Sequence, residues 1–174
     1  MKKLVIIPAY NESESIEKTV QDIVEHTSGF DYVIINDCST DNTREICEQR
    51  GFNIITLPIN LGIGGAVQTG YRYAYENNYD IAVQVDGDGQ HDAAFLNCMA
   101  EALEKEKADM LIGSRFIEKE GFQSSLARRI GIVYFTGLIK LLTGTTITDP
   151  TSGLRMIGKD VIRIFRKTIL NRKV

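Results

Sequence analysis

Residues 80–92 have the sequence Asp80-Ile81-Ala82-Val83-Gln84-Val85-Asp86-Gly87-Asp88-Gly89-Gln90-His91-Asp92. A short apolar run ends abruptly in a polar turn that contains two glycines, and a helix-like stretch follows at 92–107. The same succession of apolar run, polar turn and helix-like stretch recurs along the first 113 residues. Because strands that alternate with helices form βαβ units, this pattern predicts a mostly parallel sheet.

Five apolar runs rich in β-branched residues are the predicted strands. They lie at residues 4–7, 32–35, 53–57, 80–85 and 109–112, and the helix-like stretches between them lie at 14–27, 41–50, 64–77 and 92–107. Continuous rather than alternating apolar residues are typical of strands that helices cover on both faces. The predicted fold is therefore α/β, with a mostly parallel sheet flanked by helices.

Length and composition indicate one globular domain. The chain has 174 residues, of which 43% are apolar and 25% are charged. No apolar run reaches the roughly 18 residues that a membrane-spanning helix needs. The three cysteines have no metal-binding spacing, and the apolar start ends too early, at Pro8, for a signal peptide. These features predict free thiols and a cytoplasmic location.

The charges are divided unevenly along the chain. Residues 1–127 contain 10 Lys and Arg against 21 Asp and Glu, whereas residues 128–174 contain 10 against 2. A basic C-terminal region on an acidic body is typical of contact with an anionic partner, such as phosphate or a membrane surface. A solvated helix face gives the same pattern, so both interpretations stay open.

Polar and acidic turns follow the predicted strands, and the carboxyl ends of parallel strands meet at one edge of a sheet. Asp86 and Asp88 point to the same side where the backbone is extended. Repulsion between such close carboxylates is usually relieved by a divalent cation, and oxygen ligands predict Mg²⁺ or Mn²⁺. The alternative is an acidic turn in which Asp92 caps the next helix.

Five motifs follow one another along the chain. They are Pro-Ala-Tyr-Asn-Glu at 8–12, Asn-Asp-Cys-Ser-Thr-Asp-Asn-Thr at 36–43, Asn-Leu-Gly-Ile-Gly at 60–64, Asp-Gly-Asp-Gly-Gln-His at 86–91 and Asp-Pro-Thr-Ser-Gly-Leu-Arg at 149–155. With these motifs the chain resembles the family 2 glycosyltransferases of the GT-A fold. Among them it is most similar to the polyprenyl-phosphate sugar synthases of the dolichol-phosphate-mannose synthase type.

The resemblance covers about residues 4–158 and implies a single GT-A catalytic domain over 1–174, built on a Rossmann-like sheet. About residues 1–113 would bind the nucleotide sugar, and about residues 114–174 would form the acceptor side. Relatives usually continue beyond this length, which leaves a minimal catalytic domain and a piece of a longer protein both open.

The resemblance also assigns roles on the donor side. Contacts to the nucleotide sugar are implied for Pro8, Tyr10, Glu12, Asp37 and Asp86. Ligands to Mg²⁺ or Mn²⁺ are implied for Asp86, Asp88 and Gln90. Asn36 and Cys38 depart from the family's Asp-Asp-Gly-Ser motif, in which an Asp and a Gly stand at those two places.

On the acceptor side, the resemblance implies contacts to an acceptor phosphate from Arg115, from Arg128 or Arg129 as a second cation, and from Ser152 and Arg155. Asp149 begins a match to the family's Asp-x-x-Ser-Gly-Phe-Arg motif, in which Leu154 replaces the Phe. The implied catalytic residues are Asp88, Arg115 and Asp149.

These roles imply an inverting, metal-dependent transfer of a hexose from a UDP- or GDP-hexose to a polyprenyl phosphate, such as dolichyl or undecaprenyl phosphate. A phosphate monoester is already anionic near neutral pH, so it needs positioning by cations more than a base. A glycan hydroxyl as acceptor would need a base, for which Asp149 is the candidate. A module that binds nucleotide without turnover is a further alternative. We expect peripheral contact with the cytoplasmic face of a membrane through the basic C-terminal region, and no nucleic-acid partner.

Overall fold

The computed structural model describes residues 1–87, 93–113 and 153–167, together with 136–137, 140–142 and 144. Six strands lie in these residues: β1 Lys3–Ala9, β2 Phe30–Asn36, β3 Ile54–Thr56, β4 Ile81–Gln84, β5 Met110–Ile112 and β6 Arg155–Gly158. Five helices accompany them: α1 Ile16–His26, α2 Thr43–Gln49, α3 Gly62–Glu76, α4 Phe95–Lys105 and α5 Lys159–Phe165.

The six strands form one sheet in the order β3-β2-β1-β4-β6-β5. Strand β1 pairs in parallel with β2 and β4, and β2 pairs in parallel with β3. Strand β6 is antiparallel to both of its neighbours, β4 and β5. The predicted mostly parallel sheet is therefore confirmed. The strand order reverses between β1 and β4, which opens a crevice at the carboxyl ends of these strands.

Helices cover both faces of the sheet, as the continuous apolar runs predicted. Val5 and Ile7 of β1 belong to the core beneath α1, α2 and α4. Leu4 and Ile6 point to the other side and belong to the core beneath α3 and α5. Successive residues of one strand thus fill two different cores, which is why β1 has no polar face.

Helix α1 illustrates how the helices attach to the sheet. One face of α1 is apolar at helical spacing and is buried against the sheet; it consists of Ile16, Val20 and Ile23. Each such aliphatic side chain contributes roughly 1.5–3 kcal/mol when fully buried. No helix in the described part of the chain is long and apolar enough to cross a membrane.

Strand β6 is the element that the sequence pattern did not predict. It has four residues, of which only Met156 and Ile157 are buried. So short a run has no periodicity of its own, and pairing with β4 on one side and β5 on the other holds it in the sheet. Because β6 runs against β4, its first residue, Arg155, lies beside Gln84 at the carboxyl end of β4.

Candidate functional site

A cavity of about 230 Å³ opens at the carboxyl ends of the central strands. Among the residues that line it are all five predicted nucleotide-sugar contacts: Pro8, Tyr10, Glu12, Asp37 and Asp86. Pro8 lies near the end of β1, and the other four come from the turns after β1, β2 and β4. The structure therefore brings together residues that are up to 78 positions apart in the sequence.

The parallel pairing of β1 with β2 places the first two turns side by side. Ala9 is in register with Asn36, and the backbone N–H of Asp37 donates a hydrogen bond to the carbonyl of Ala9 at 2.9 Å. Tyr10 follows β1 directly and lines the cavity with 48% of its surface exposed. The aromatic ring of Tyr10 is therefore accessible to a molecule bound in the cavity.

Asp37 is a buried carboxylate with a structural partner. It is 3% exposed, and its Oδ1 accepts a hydrogen bond from the backbone N–H of Leu61 at 2.7 Å. Leu61 immediately precedes α3, so this bond ties the start of that helix to the end of β2. The sequence predicted Asp37 as a ligand contact and gave no sign of this second role, because it depends on a residue 24 positions away.

Asn36 adjoins Asp37 and is fully enclosed, with 1% of its surface exposed. Its Oδ1 accepts a hydrogen bond from the backbone N–H of Ser39 at 3.1 Å, and its Nδ2 donates to Thr56 Oγ1 on β3 at 3.4 Å. An amide suits this position because it can accept and donate at once, whereas a carboxylate can only accept. Asn36 stands where the family motif has an Asp, and Thr56 accepts the hydrogen bond that the Asn36 amide donates.

Asp86 ends the extended segment after β4 and is only partly buried. Its Oδ1 accepts a hydrogen bond from the side-chain amide of Gln84 at 2.9 Å. The other carboxylate oxygen faces Gly153, because a Cβ placed on that glycine would overlap Asp86 Oδ2. Gly153 and Arg155 belong to the predicted acceptor-side motif, so the end of that motif meets the carboxylate of Asp86, a predicted donor-side residue.

Gln84 was missed as a site residue, although the sequence contains a sign of it. It is the one polar residue inside the apolar run 81–85, and it is only 9% exposed. A polar side chain in a strand covered on both faces needs a partner, and here that partner is Asp86.

Arg155 lies near α3 as well as beside Gln84. Burial raises the pKa of the Tyr71 hydroxyl to about 12, and the positive charge of Arg155 opposes that rise. Because Arg155 pairs with Gln84, the last residue of β4, it lies at the carboxyl end of that strand. This places one predicted acceptor-side cation at the same edge of the sheet as the cavity.

Seven of the predicted site residues lie outside the described residues: Asp88, Gln90, Arg115, Arg128, Arg129, Asp149 and Ser152. Their proposed roles stay predictions. Within the described residues, no three His, Cys, Asp or Glu side chains are grouped closely enough to hold a metal ion. Asp86 is the only predicted metal ligand in that part of the chain.

Comparison with known proteins places the chain among sugar-transferring enzymes. The sequence profile described as Glycosyl transferase family 2 matches residues 4–165. A UDP-N-acetylglucosamine–dolichyl-phosphate N-acetylglucosaminyltransferase of Methanococcus voltae is 29% identical, over 95% of this chain and 72% of its own length. An undecaprenyl-phosphate mannosyltransferase of Micrococcus luteus is 30% identical, over 94% of this chain and 69% of its own length.

Among solved structures, a mannosyltransferase from Pyrobaculum calidifontis in complex with GDP-Man and Mn²⁺ has the same fold. It superimposes with a TM-score of 0.66 at 17% identity, over 94% of this chain and 46% of its own. The chain thus spans about seven tenths of the two relatives and about half of this structure.

Proposed function

Because the chain belongs to glycosyl transferase family 2 and has the GT-A fold, we propose that it transfers a hexose from a nucleoside-diphosphate sugar to a polyprenyl phosphate, with inversion at the anomeric carbon. The observation that supports this most is the cavity, which brings together the five predicted donor-side residues from the ends of β1, β2 and β4. Both relatives are named for transfer to a polyprenyl phosphate.

The cavity suits the nucleoside part of such a donor. Tyr10 offers a half-exposed ring against which a base can stack. Glu12 and Asp37 supply carboxylate oxygens, which accept hydrogen bonds from base N–H and ribose hydroxyl groups. In this proposal, residues 1–113 form the donor half and residues 114–174 the acceptor half.

The charges of the cavity call for a cation when a diphosphate binds. Its described lining includes three carboxylates, those of Glu12, Asp37 and Asp86, and no Lys or Arg. Carboxylate oxygens suit Mg²⁺ or Mn²⁺, and Asp86 together with Asp88 and Gln90 would hold it. Such a cation neutralises the charge that develops on a departing nucleoside diphosphate.

Arg155 supports the acceptor side of the proposal. Arg155 is in register with Gln84, at the edge of the sheet where Asp86 faces Gly153. Arg115, Arg128, Arg129 and Ser152 would complete a phosphate site there. A planar guanidinium binds phosphate in a fixed orientation. An anionic oxygen held on the face opposite the departing diphosphate attacks in line, which inverts the anomeric carbon. Asp149 would be required as a base only if the acceptor were a hydroxyl.

The basic C-terminal region is proposed to approach the membrane in which a polyprenyl phosphate resides. On α5, Arg163 and Ile164 are both exposed, Ile164 by 60%. Lys159 pairs with Asp80 at 3.4 Å, and Arg166 lies over the ring of Tyr75 at 3.5 Å, so both contact other elements of the fold. Arg163 pairs at 3.9 Å with Asp160 on its own helix. A peripheral contact through α5 would therefore use Arg163 more than these two.

A transfer assay tests the proposal directly. The purified chain is incubated with radiolabelled UDP-glucose, UDP-N-acetylglucosamine or GDP-mannose, with undecaprenyl or dolichyl phosphate in detergent, and with Mn²⁺ or EDTA. We expect label in the organic phase with one donor, abolished by EDTA, and an inverted anomeric configuration in the product by NMR. Label only in a glycan or in free sugar would contradict the proposed acceptor.

A pair of arginine variants makes the assay specific for the acceptor site. Arg155→Ala removes the cation at the cavity edge, whereas Arg44→Ala removes an exposed arginine that pairs with Glu48 on α2. We expect Arg155→Ala to raise the KM for the lipid phosphate at least about tenfold, a loss of ~1.4 kcal/mol in binding. Equal kinetics in the two variants would contradict the role of Arg155.

A further inference from the structure

The turn after β1 and the turn after β2 are joined by a row of hydrogen bonds. Three consecutive backbone N–H groups of the first turn donate to side chains of the second: Asn11 to Ser39 Oγ at 3.0 Å, Glu12 to Thr43 Oγ1 at 2.8 Å and Ser13 to Asp41 Oδ2 at 3.0 Å. In the other direction, the backbone N–H of Thr40 donates to Asn11 Oδ1 at 2.8 Å.

Asp41 is the residue on which this row depends. One of its oxygens accepts from Ser13, and the other accepts from both the backbone N–H and the hydroxyl of Thr43. Thr43 is fully buried, and because its hydroxyl donates to Asp41, the oxygen is left to accept from Glu12. Asp41 therefore holds Ser13 directly and Glu12 through Thr43.

These hydrogen bonds act on a charged carboxylate. Desolvation of Asp41 favours its neutral form, but the hydrogen bonds from Thr43 and Ser13 outweigh that effect and lower its pKa to about 2. The carboxylate is thus ionised at every pH at which an enzyme of this kind is assayed. Hydrogen bonds to an ionised acceptor are about twice as strong as those between neutral groups.

The backbone between the two pocket residues is in a conformation that needs such support. Asn11 has φ 59°, and Cys38 in the facing turn also has φ 59°. Left-handed backbone at a residue other than glycine persists only where its surroundings enforce it. Tyr10 and Glu12 flank Asn11 and line the cavity. A relaxed Asn11 would therefore displace both of them.

We propose that Asp41 is a positioning residue for the donor cavity: it fastens the β1–α1 turn to the β2–α2 turn and so holds Tyr10 and Glu12 in place. Asp41 is not among the residues that line the cavity, so its effect on a ligand must pass through the turn. The inference rests on the proposed function only in taking that cavity as the nucleotide site.

Binding of UDP and GDP with Mn²⁺, measured by calorimetry at 15 °C, tests this with Asp41→Ala. The matched control is Asp31→Ala, which removes a carboxylate that accepts from the Tyr79 hydroxyl at 2.8 Å, at the opposite end of β2. Melting temperatures are recorded for both. We expect Asp41→Ala to weaken nucleotide binding about tenfold or more, equal to ~1.4 kcal/mol, while the control stays within twofold of the wild type.

A second pair of variants keeps the test valid if Asp41→Ala does not fold. Thr43→Val keeps the buried shape and removes both hydroxyl hydrogen bonds, whereas Thr43→Ser keeps the hydroxyl. Weakened binding in Thr43→Val with recovery in Thr43→Ser supports the inference, and we expect the KM for the donor to rise without a matching fall in kcat.

Nucleotide affinity within twofold of the wild type in both Asp41→Ala and Thr43→Val would overturn the inference, whatever their melting temperatures. Failure of the proposed function is a different result: the wild type itself would bind neither diphosphate with Mn²⁺. That outcome would remove the nucleotide site and, with it, the role of Asp41.

Discussion

The carboxylate of Asp86 occupies the space into which a side chain at Gly153 would extend. Asp86 follows β4 and lines the cavity, and Gly153 leads into β6, which runs antiparallel to β4. The proposed donor-side acid and the end of the proposed acceptor-side motif are therefore packed directly against each other. A substitution at Gly153 has to move Asp86, the strand end, or both.

Gly153→Ala is the first prediction. The added methyl overlaps Asp86 Oδ2, so the carboxylate, the backbone at Gly153 or both must move from their present positions. We expect kcat/KM for the donor to fall at least about tenfold, and stability to fall by about 1–3 kcal/mol, as is usual for overpacking. Steady-state kinetics and urea unfolding measure the two effects separately.

Gly158→Ala is the control for this prediction. It lies at the other end of β6, where a Cβ would make only an ordinary contact, 3.8 Å from the carbonyl oxygen of Asp109. Its kinetics should match those of the wild type. Similar losses of activity in both variants would mean that β6 tolerates no substitution in general, and would contradict a specific contact with Asp86.

Two substitutions of Asp37 distinguish its contribution to the stability of the fold from its contribution to nucleotide binding. Asp37→Asn can still accept the hydrogen bond from Leu61 through its amide oxygen, but it loses the charge. Asp37→Ala leaves a backbone N–H without that partner, which costs about 1–3 kcal/mol. We expect both variants to weaken nucleotide binding, and only Asp37→Ala to lower the melting temperature by several degrees. An Asp37→Asn protein that binds like the wild type would show that the carboxylate serves the fold alone.

The lowered pKa of Asp41 predicts how the free energy of unfolding depends on pH. Its folded-state pKa of about 2 lies below the ordinary value of 3.8, so the unfolded state binds more protons between these values. The stabilisation is therefore complete above about pH 4 and is lost as the pH falls toward 2. Discounted for solvent screening at this partly exposed site, it amounts to about 1–2 kcal/mol.

Urea unfolding of the wild type and Asp41→Asn from pH 7 down to pH 2.5 measures this contribution. The wild type should be more stable by the stated amount at pH 7, and the difference should shrink steadily below pH 4. A difference that stays constant across this range would mean that Asp41 is not an ionised hydrogen-bond acceptor in the folded protein.

Much of the fold could be predicted because its decisive elements are local in sequence. Strands β1 and β4 are continuous apolar runs, and the rule that parallel strands carry sites at their carboxyl ends identified the turns that line the cavity. The family motifs then selected Tyr10, Glu12, Asp37 and Asp86 among the polar residues of those turns, and the structure places all four at the cavity.

What could not be predicted depends on partners far away in the chain. Strand β6 has four residues and is held by strands on both sides. Asp41 accepts a hydrogen bond from the backbone N–H of Ser13, 28 positions away, which only the folded chain brings within reach. A sequence pattern contains no information on such distant pairs. A polar residue in a buried strand, such as Gln84, can nevertheless be recognised from the sequence as a position that needs a hydrogen-bond partner.

The central claim is that the carboxylate-lined cavity binds a nucleoside diphosphate together with a divalent cation. The most direct measurement is the melting temperature of the wild type and of Asp86→Ala with UDP or GDP, each with Mn²⁺ and with EDTA. At about 100 times the dissociation constant, the correct diphosphate should stabilise the wild type by about 2.7 kcal/mol, which raises the melting temperature by about 5–10 °C. We predict this rise with Mn²⁺ and not with EDTA, and its loss in Asp86→Ala. An equal rise without the cation, or none with either diphosphate, would contradict the claim.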